Sequence, residues 1–348
     1  MSSPAKAEGS GPSVALEPEL EPAPAPAKGE TKLEGRSPGQ LMWQRFKRDR
    51  TGVICAVIVI LYFVIGLAAP LLTKLSGTDP YTLYGQDPTY QDNPVLDEFG
   101  LPLGYFGGLS GSHWFGVEPQ YGRDVFAMLV YGIRTSLYMA VGITVLMMVT
   151  GILLGLIGGY FGGRTDYWIG RVTDFFLAFP QQLFFIAFMP VVTAFFVDPR
   201  EETPTYLRAV AMLIVLWLLG WMGMARLVRS TVLSLREREF VEAAKVSGAS
   251  PWRIVRKEIL PNVVTPILVQ FTYTLPSTIL TIAFLSFAGV GFVEPTPDWG
   301  KLFANGAKYT EQDPAFLFFP GLALVIFVLA FNLLGDSVRD AFDPKSGR

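Results

Sequence analysis

Residues 236–261 read REREFVEAAKVSGASPWRIVRKEILP, a charged island between two long runs that are almost free of charge. Leu235 to Val246 holds good helix formers and no breaker, so a helix is expected there. Gly248 suits the left-handed backbone that ends a helix. Ser250 suits the N-cap of a second helix, with Pro251 at its first position. The segment therefore reads as two short helices joined by a turn. So structured a polar element between apolar stretches is a docking surface rather than a solvated connector.

Outward from this island the chain alternates between apolar runs and clustered charge. Of 348 residues, 51% are hydrophobic and only 17% are charged, well below the quarter or so that soluble domains carry. Six apolar runs approach or exceed the ~20 residues a helix needs to cross a bilayer. They predict an all-α polytopic membrane protein with six transmembrane helices, at 51–73, about 135–160, about 174–197, about 207–228, about 263–292 and about 314–336. Arg208 and Arg226 at the ends of the short fourth run can snorkel to the interface. Positive charge gathers before the first run (Arg45, Lys47, Arg48, Arg50), after the second (Arg164, Arg171), in the 230–262 loop and after the sixth. The opposite segment 73–133 holds only Lys74 and Arg123 against seven acids. The positive-inside rule then places both termini and the 230–262 loop in the cytoplasm.

Residues 1–40, with seven prolines and no aromatic residue, read as a disordered cytoplasmic tail. Residues 41–50 mix aromatic and basic groups and read as an interfacial helix on the anionic inner leaflet, which makes membrane lipid a partner. The extracytoplasmic loop 74–133 is long, rich in Gly, Pro, Asp and Tyr, and reads as ordered but irregular. Cys55, the single cysteine, is expected as a small apolar packing residue, and His113, the single histidine, as a loop residue packed on Trp114. Neither offers a metal cluster, no phosphate-binding loop is present, and a net charge of −2 gives no footing for nucleic acid. No cofactor and no catalytic residue is expected, and the chain is not read as an enzyme.

The cores of the apolar runs hold no ionisable group, which argues against carboxylate-coupled transport. They do hold neutral polar groups: Gln181 and Gln182 in the third, and Gln270, Thr272, Thr274, Ser277 and Thr278 in the fifth. Those in the fifth are the candidate lining of a solvated pathway, against the plainer reading of interhelical hydrogen bonds. Two other functional classes stay open on this reading: an ATP-independent channel or secondary transporter, and a membrane-embedded hydrolase.

Five ordered blocks carry a resemblance. Glu242-Ala243-Ala244, then Gly248 and Leu260-Pro261, are similar to the EAA loop of bacterial ABC-importer permeases. Gly122-Arg123-Asp124-Val125, Asp174 with Ala178-Phe179-Pro180, Pro295-Thr296-Pro297-Asp298-Trp299-Gly300, and Phe331 to Asp336 with Arg339-Asp340 and Asp343-Pro344 extend it across roughly 41–345. The chain resembles the second permease subunit of dipeptide, oligopeptide and nickel importers, departing from the pattern at Glu258 and across His113 to Gln120.

That resemblance implies a type I importer permease in the bacterial inner membrane. It implies a sister permease completing the pathway, two cytosolic ABC ATPase subunits and an extracytoplasmic substrate-binding protein. The core would span 134–345, with 230–262 as its coupling loop. The implied ATPase-coupling residues are Glu242, Ala243, Ala244, Gly248, Leu260 and Pro261, with Glu242 pairing to a basic group on the ATPase, and Trp252 joins them as an aromatic of the kind that anchors interfaces. The transported solute is not implied beyond that class.

Overall fold

A computed structural model of the chain describes residues 38–85, 94–198, 200–201 and 203–342. The tail expected at 1–40 lies outside the described residues up to 37, as does the Asp343-Pro344 end of the last block. Among the described residues the chain forms twelve α-helices and no β-strand. In order they are α1 (Pro38–Arg48), α2 (Arg50–Ser76), α3 (Val125–Phe161), α4 (Gly163–Leu177), α5 (Gln181–Ala194), α6 (Thr205–Gly220), α7 (Met222–Leu235), α8 (Glu239–Val246), α9 (Pro251–Ile254), α10 (Leu260–Phe287), α11 (Trp299–Lys308) and α12 (Pro314–Phe342).

Five segments are long and apolar enough to cross a membrane: α2, α3, α6 with α7, the stretch Pro251–Phe287, and α12. The third run of the sequence behaves differently. It divides into α4 and α5, which meet at 91°. Pro180 stands at the break, because it has no amide hydrogen to donate and it biases Phe179 away from the helical conformation. At 1.5 Å per residue the 14 residues of α5 reach only about 21 Å. This run is therefore a bent pair and not one straight helix.

In lipid the hydrophobic effect does not pull helices together, so close backbone approach and dispersion must do so. Here α3 supplies the surface. Gly151, Gly155 and Gly159 follow one another at four-residue spacing along it, and α7 presents Met224, Val228 and Val232 at the same spacing. A Cβ added to each glycine would lie 2.6, 2.7 and 2.8 Å from the Cβ of its α7 partner. No larger residue fits without moving α7. Val228 and Val232 are wholly buried as a result.

Two apolar clusters follow from this arrangement. The larger draws on α2, α3, α5, α6, α7, α10, α11 and α12, with Trp299, Phe316 and Phe327 fully buried in it. Tyr62 of α2 packs its ring on Phe327 and Trp299 and donates to the Ala323 carbonyl at 2.7 Å. Cys55 is buried in the same cluster. The smaller cluster joins Met148 and Leu156 of α3 and Val228 and Val232 of α7 to Val241, Ile254 and Ile259 from the charged island and Val263 of α10.

Gly155→Ala should overpack the α3–α7 contact and cost about 1–3 kcal/mol. Gly142, on the same helix, has open space where a Cβ would stand. Gly142→Ala should therefore leave the thermal midpoint in detergent unchanged or raised while Gly155→Ala lowers it; equal midpoints would show that the ridge carries no packing energy.

Candidate functional site

The charged island folds as two short helices and a widened turn. Glu239 and Glu242 sit in the first turn of α8 and Lys245 in its last, each on the side the helix dipole favours. Gly248 takes φ +76 and ends the helix, its amide donating to the Lys245 carbonyl at 3.0 Å. Pro251 opens α9 as expected. Ser250 makes no side-chain cap, contrary to expectation; it is extended, and only its carbonyl takes part, accepting from the Ile254 amide. From Val255 to Ile259 the backbone forms a π-turn, with the Leu260 amide donating to the Val255 carbonyl. Pro261 accounts for the position of this turn. It cannot donate to the Lys257 carbonyl, and its ring would crowd that group in a regular α-helix.

The island has two faces. Val241, Ile254, Val255 and Ile259 are buried against α3 and α7. Opposite them Glu242 and Ala243 are exposed, and Ala244 is half-buried. Trp252 is 60% exposed, its ring edge-on to Phe161 at 5.9 Å. Leu260 is half-buried, and Pro261 is exposed where α10 begins. Glu242 has no ion-pair partner among the described residues. The surface also carries Phe240, 40% exposed, and Val246, 89% exposed. Sequence reasoning missed both, although two large apolar residues in a charged loop, outside any core periodicity, were a visible signal.

A cavity of about 400 Å³ opens where the break between α4 and α5 meets the break between α6 and α7. Gln270, Thr274, Ser277 and Thr278 line it from α10. Gln181 lines the opposite side and donates to the Leu219 carbonyl at 3.2 Å, beside the α6–α7 break at Trp221. The Thr274 and Thr278 hydroxyls bond back to the carbonyls of Gln270 and Thr274, and Thr144 of α3 donates to Thr278 at 3.1 Å. Thr272 does not join this wall. It is buried on another face of α10, where the absent side chain of Gly335 leaves room for it against α12. One helical turn moves a residue by 360° in 3.6 steps, so two positions from Gln270 or Thr274 is nearly the opposite face.

Charges between the membrane-facing helices follow local pairing. Arg226 does not snorkel alone; it donates to Asp174 of α4 at 2.8 Å. Arg229 makes a two-pronged pair with Asp166 of α4.

The loops that precede α3 and α11 are held by buried charge. Arg123, 4% exposed, donates from Nη2 to Glu118 Oε1 at 2.8 Å and from Nη1 to Glu294. Burial works against its charge, but the two carboxylates outweigh burial and raise its pKa. Burial pushes the Glu118 carboxyl up, with Arg123 pulling partly the other way. Burial also opposes the Glu294 charge, yet Arg123 and Asn305 prevail and hold it below the usual range. Asp124 caps α3 by accepting from the Ala127 amide at 2.7 Å, and its other oxygen meets His113 Nδ1 at 2.8 Å. His113 is thus buried against Asp124 and the Tyr84 ring, while Trp114 packs on Phe126 instead. Asp298 caps α11 through the Gly300 and Lys301 amides, and burial pushes its carboxyl up to about 7.

With this geometry in place, residues 151–348 match the family described as binding-protein-dependent transport system inner membrane component. Residues 37–95 match the N-terminal TM domain of oligopeptide transport permease C. The chain belongs to this family of transport permeases. It is 34% identical to the dipeptide transport system permease protein DppC of Alkalihalophilus pseudofirmus, over 94% of this chain and 97% of that one. It is 32% identical to the oligopeptide permease OppC of Bacillus subtilis, over 94% and 96%. It is 34% identical to the glutathione permease GsiD of Pectobacterium atrosepticum, over 89% and 92%. A chain of the inward-facing MetNI methionine ABC transporter shares the fold at TM-score 0.50 and 21% identity, over 63% of this chain and 97% of that one. Members of this permease family work in ABC importers beside ATPase and substrate-binding proteins. The matched region 151–348 contains the glycine ridge, the island and the cavity wall on α10.

Arg123→Met would leave Glu118 buried without its partner and should cost about 3–5 kcal/mol. The thermal midpoint of the permease in detergent should fall sharply, and Arg123→Met/Glu118→Met should recover part of it. No recovery in the double variant would mean that Arg123 acts by packing alone.

Proposed function

We propose that this permease is one half of the translocation pathway of an ATP-driven importer for peptides or related small solutes, driven through the surface formed by residues 239–261. The observation that carries this reading is the two-sided build of the island. Glu242, Phe240, Val246 and Trp252 stand exposed, while Val241, Ile254 and Ile259, wholly or nearly wholly buried, key the same segment into α3 and α7. A load on the exposed side therefore reaches the helices beside the cavity with little slack, because close-packed interiors transmit displacement. A flexible connector would absorb it.

In this reading Glu242 pairs with a basic group on a cytosolic ATPase. Trp252, Phe240 and Val246 act as the apolar anchors that dominate such interfaces. Closure of an ATPase pair would shift the permease between inward and outward states by favouring one of two packings. A sister permease supplies the other wall of the pathway, and the outer segment 74–133 helps to seat the substrate-binding protein. The island then lies on the cytoplasmic side of the inner membrane with both termini. The dipeptide, oligopeptide and glutathione permeases among the relatives make short peptides the favoured cargo class.

Glu242→Arg should abolish most uptake of labelled dipeptide in cells while leaving membrane insertion unchanged, and should reduce cargo-stimulated ATP hydrolysis by tenfold or more, roughly the loss of one desolvated charge pair. Full uptake and full stimulation in that variant would remove Glu242 from the coupling. Gln270→Leu and Thr274→Val should alter transport rate or substrate range; wild-type transport in both would leave these side chains with a packing role only.

A further inference from the structure

On another face of α10 from the pathway cavity, a second concavity of about 300 Å³ lies between α1, α10 and α12. Its exposed lining is wholly apolar, formed by Trp43 and Phe46 of α1, Leu268 and Phe271 of α10, and Val338 and Ala341 of α12. Trp43 and Phe46 stack on each other at 6.0 Å, so the α1 wall is a continuous aromatic face. The groove sits at the end of the molecule where α10 leaves the charged island.

Cations follow Trp43 and Phe46 in the chain. Arg45, Lys47 and Arg48 occupy the last turn of α1, and Arg50 opens α2. Lys47 holds its ammonium 5.0 Å from the Trp43 ring centroid, directly at the rim. The one acid within this run, Asp49, is committed to capping α2, where it accepts from the Thr51 amide at 3.0 Å. On the facing helices, Asp336 is engaged by the Tyr273 hydroxyl at 2.5 Å. An apolar slot beside a basic turn at a membrane boundary matches a molecule with hydrocarbon below and a negative group above. A protein helix would satisfy the slot but not Lys47, Arg48 and Arg50; a soluble anion would satisfy these cations but not the slot.

We infer that this groove is a binding site for one anionic phospholipid. An acyl chain lies between α1, α10 and α12, and the phosphate headgroup sits among Lys47, Arg48 and Arg50. Because α10 runs from the island to the cavity wall, a lipid wedged against Leu268 and Phe271 would bear on the same helix that carries Gln270 and Thr274.

The test uses the full-length chain purified in mild detergent together with its bound subunits, stripped of lipid and re-supplied with phosphatidylglycerol or phosphatidylcholine of identical acyl chains. Native mass spectrometry should show one retained phosphatidylglycerol, favoured over phosphatidylcholine by roughly fivefold or more, since each basic group near an anionic lipid is worth about that factor. Ala341→Trp fills the slot and should remove the retained lipid. Lys47→Glu/Arg48→Glu, on the exposed rim, should abolish the headgroup preference without changing the thermal midpoint. Equal retention of the two lipids by the unaltered chain overturns the proposal. So does unchanged phosphatidylglycerol retention in a folded Ala341→Trp. If Ala341→Trp does not fold, a preference that survives the rim charge reversal overturns it alone. A photo-crosslinker at Leu268 that couples to a polypeptide instead of lipid identifies a protein occupant and likewise overturns it.

Discussion

Gly151, Gly155 and Gly159 let α7 lie directly against the backbone of α3, and the functional parts of the molecule hang from that approach. Helix pairs in lipid are held by contact rather than by exclusion of water, so their stability depends on how close two backbones can come. Three missing side chains in register with Met224, Val228 and Val232 bring them to the limit. The small cluster that anchors the island is built on the same pair. Val241, Ile254 and Ile259 would have no surface to key into if α7 stood further out.

The second constraint is the treatment of broken helices. Both the α4–α5 bend and the α6–α7 break release backbone groups inside an apolar region, where unpaired groups are costly. They are set side by side, and Gln181 from one donates to the Leu219 carbonyl at the other. The space left between them becomes the cavity faced by Gln270, Thr274 and Thr278. The Thr hydroxyls on that wall are tied back to their own helix, and the lining is polar without a carboxylate or a basic side chain. Before α3, Arg123 does for the loops what glycine does for the helices, holding Glu118 and Glu294, far apart in the chain, on one guanidinium.

Much of this was legible one residue at a time. Five of the six apolar runs, the turn at Gly248 and the helix start at Pro251 are local properties, and each stands in the structure as a helix or turn where local chemistry put it. The blocks of resemblance fell on positions with structural duties, such as Asp124 and Asp298 as helix caps. Local reasoning failed where a competing long-range partner existed. His113 was drawn to Asp124 rather than Trp114, and Arg226 found Asp174 across the break between helices. Thr272 was grouped with its neighbours by composition, but helix geometry turned it toward Gly335.

The order of the apolar runs, their helical character, the polar island and the family were determined by sequence alone, because hydropathy, charge placement and turn chemistry act over a few residues. The tertiary structure decided which of those residues meet: that a four-residue glycine spacing is a seam for α7, that α5 turns by 91° away from α4, and that one face of the island is buried while the other is bare. Each of these depends on the approach of segments distant in the chain, and a spacing of small residues marks a close approach without naming the segment that makes it.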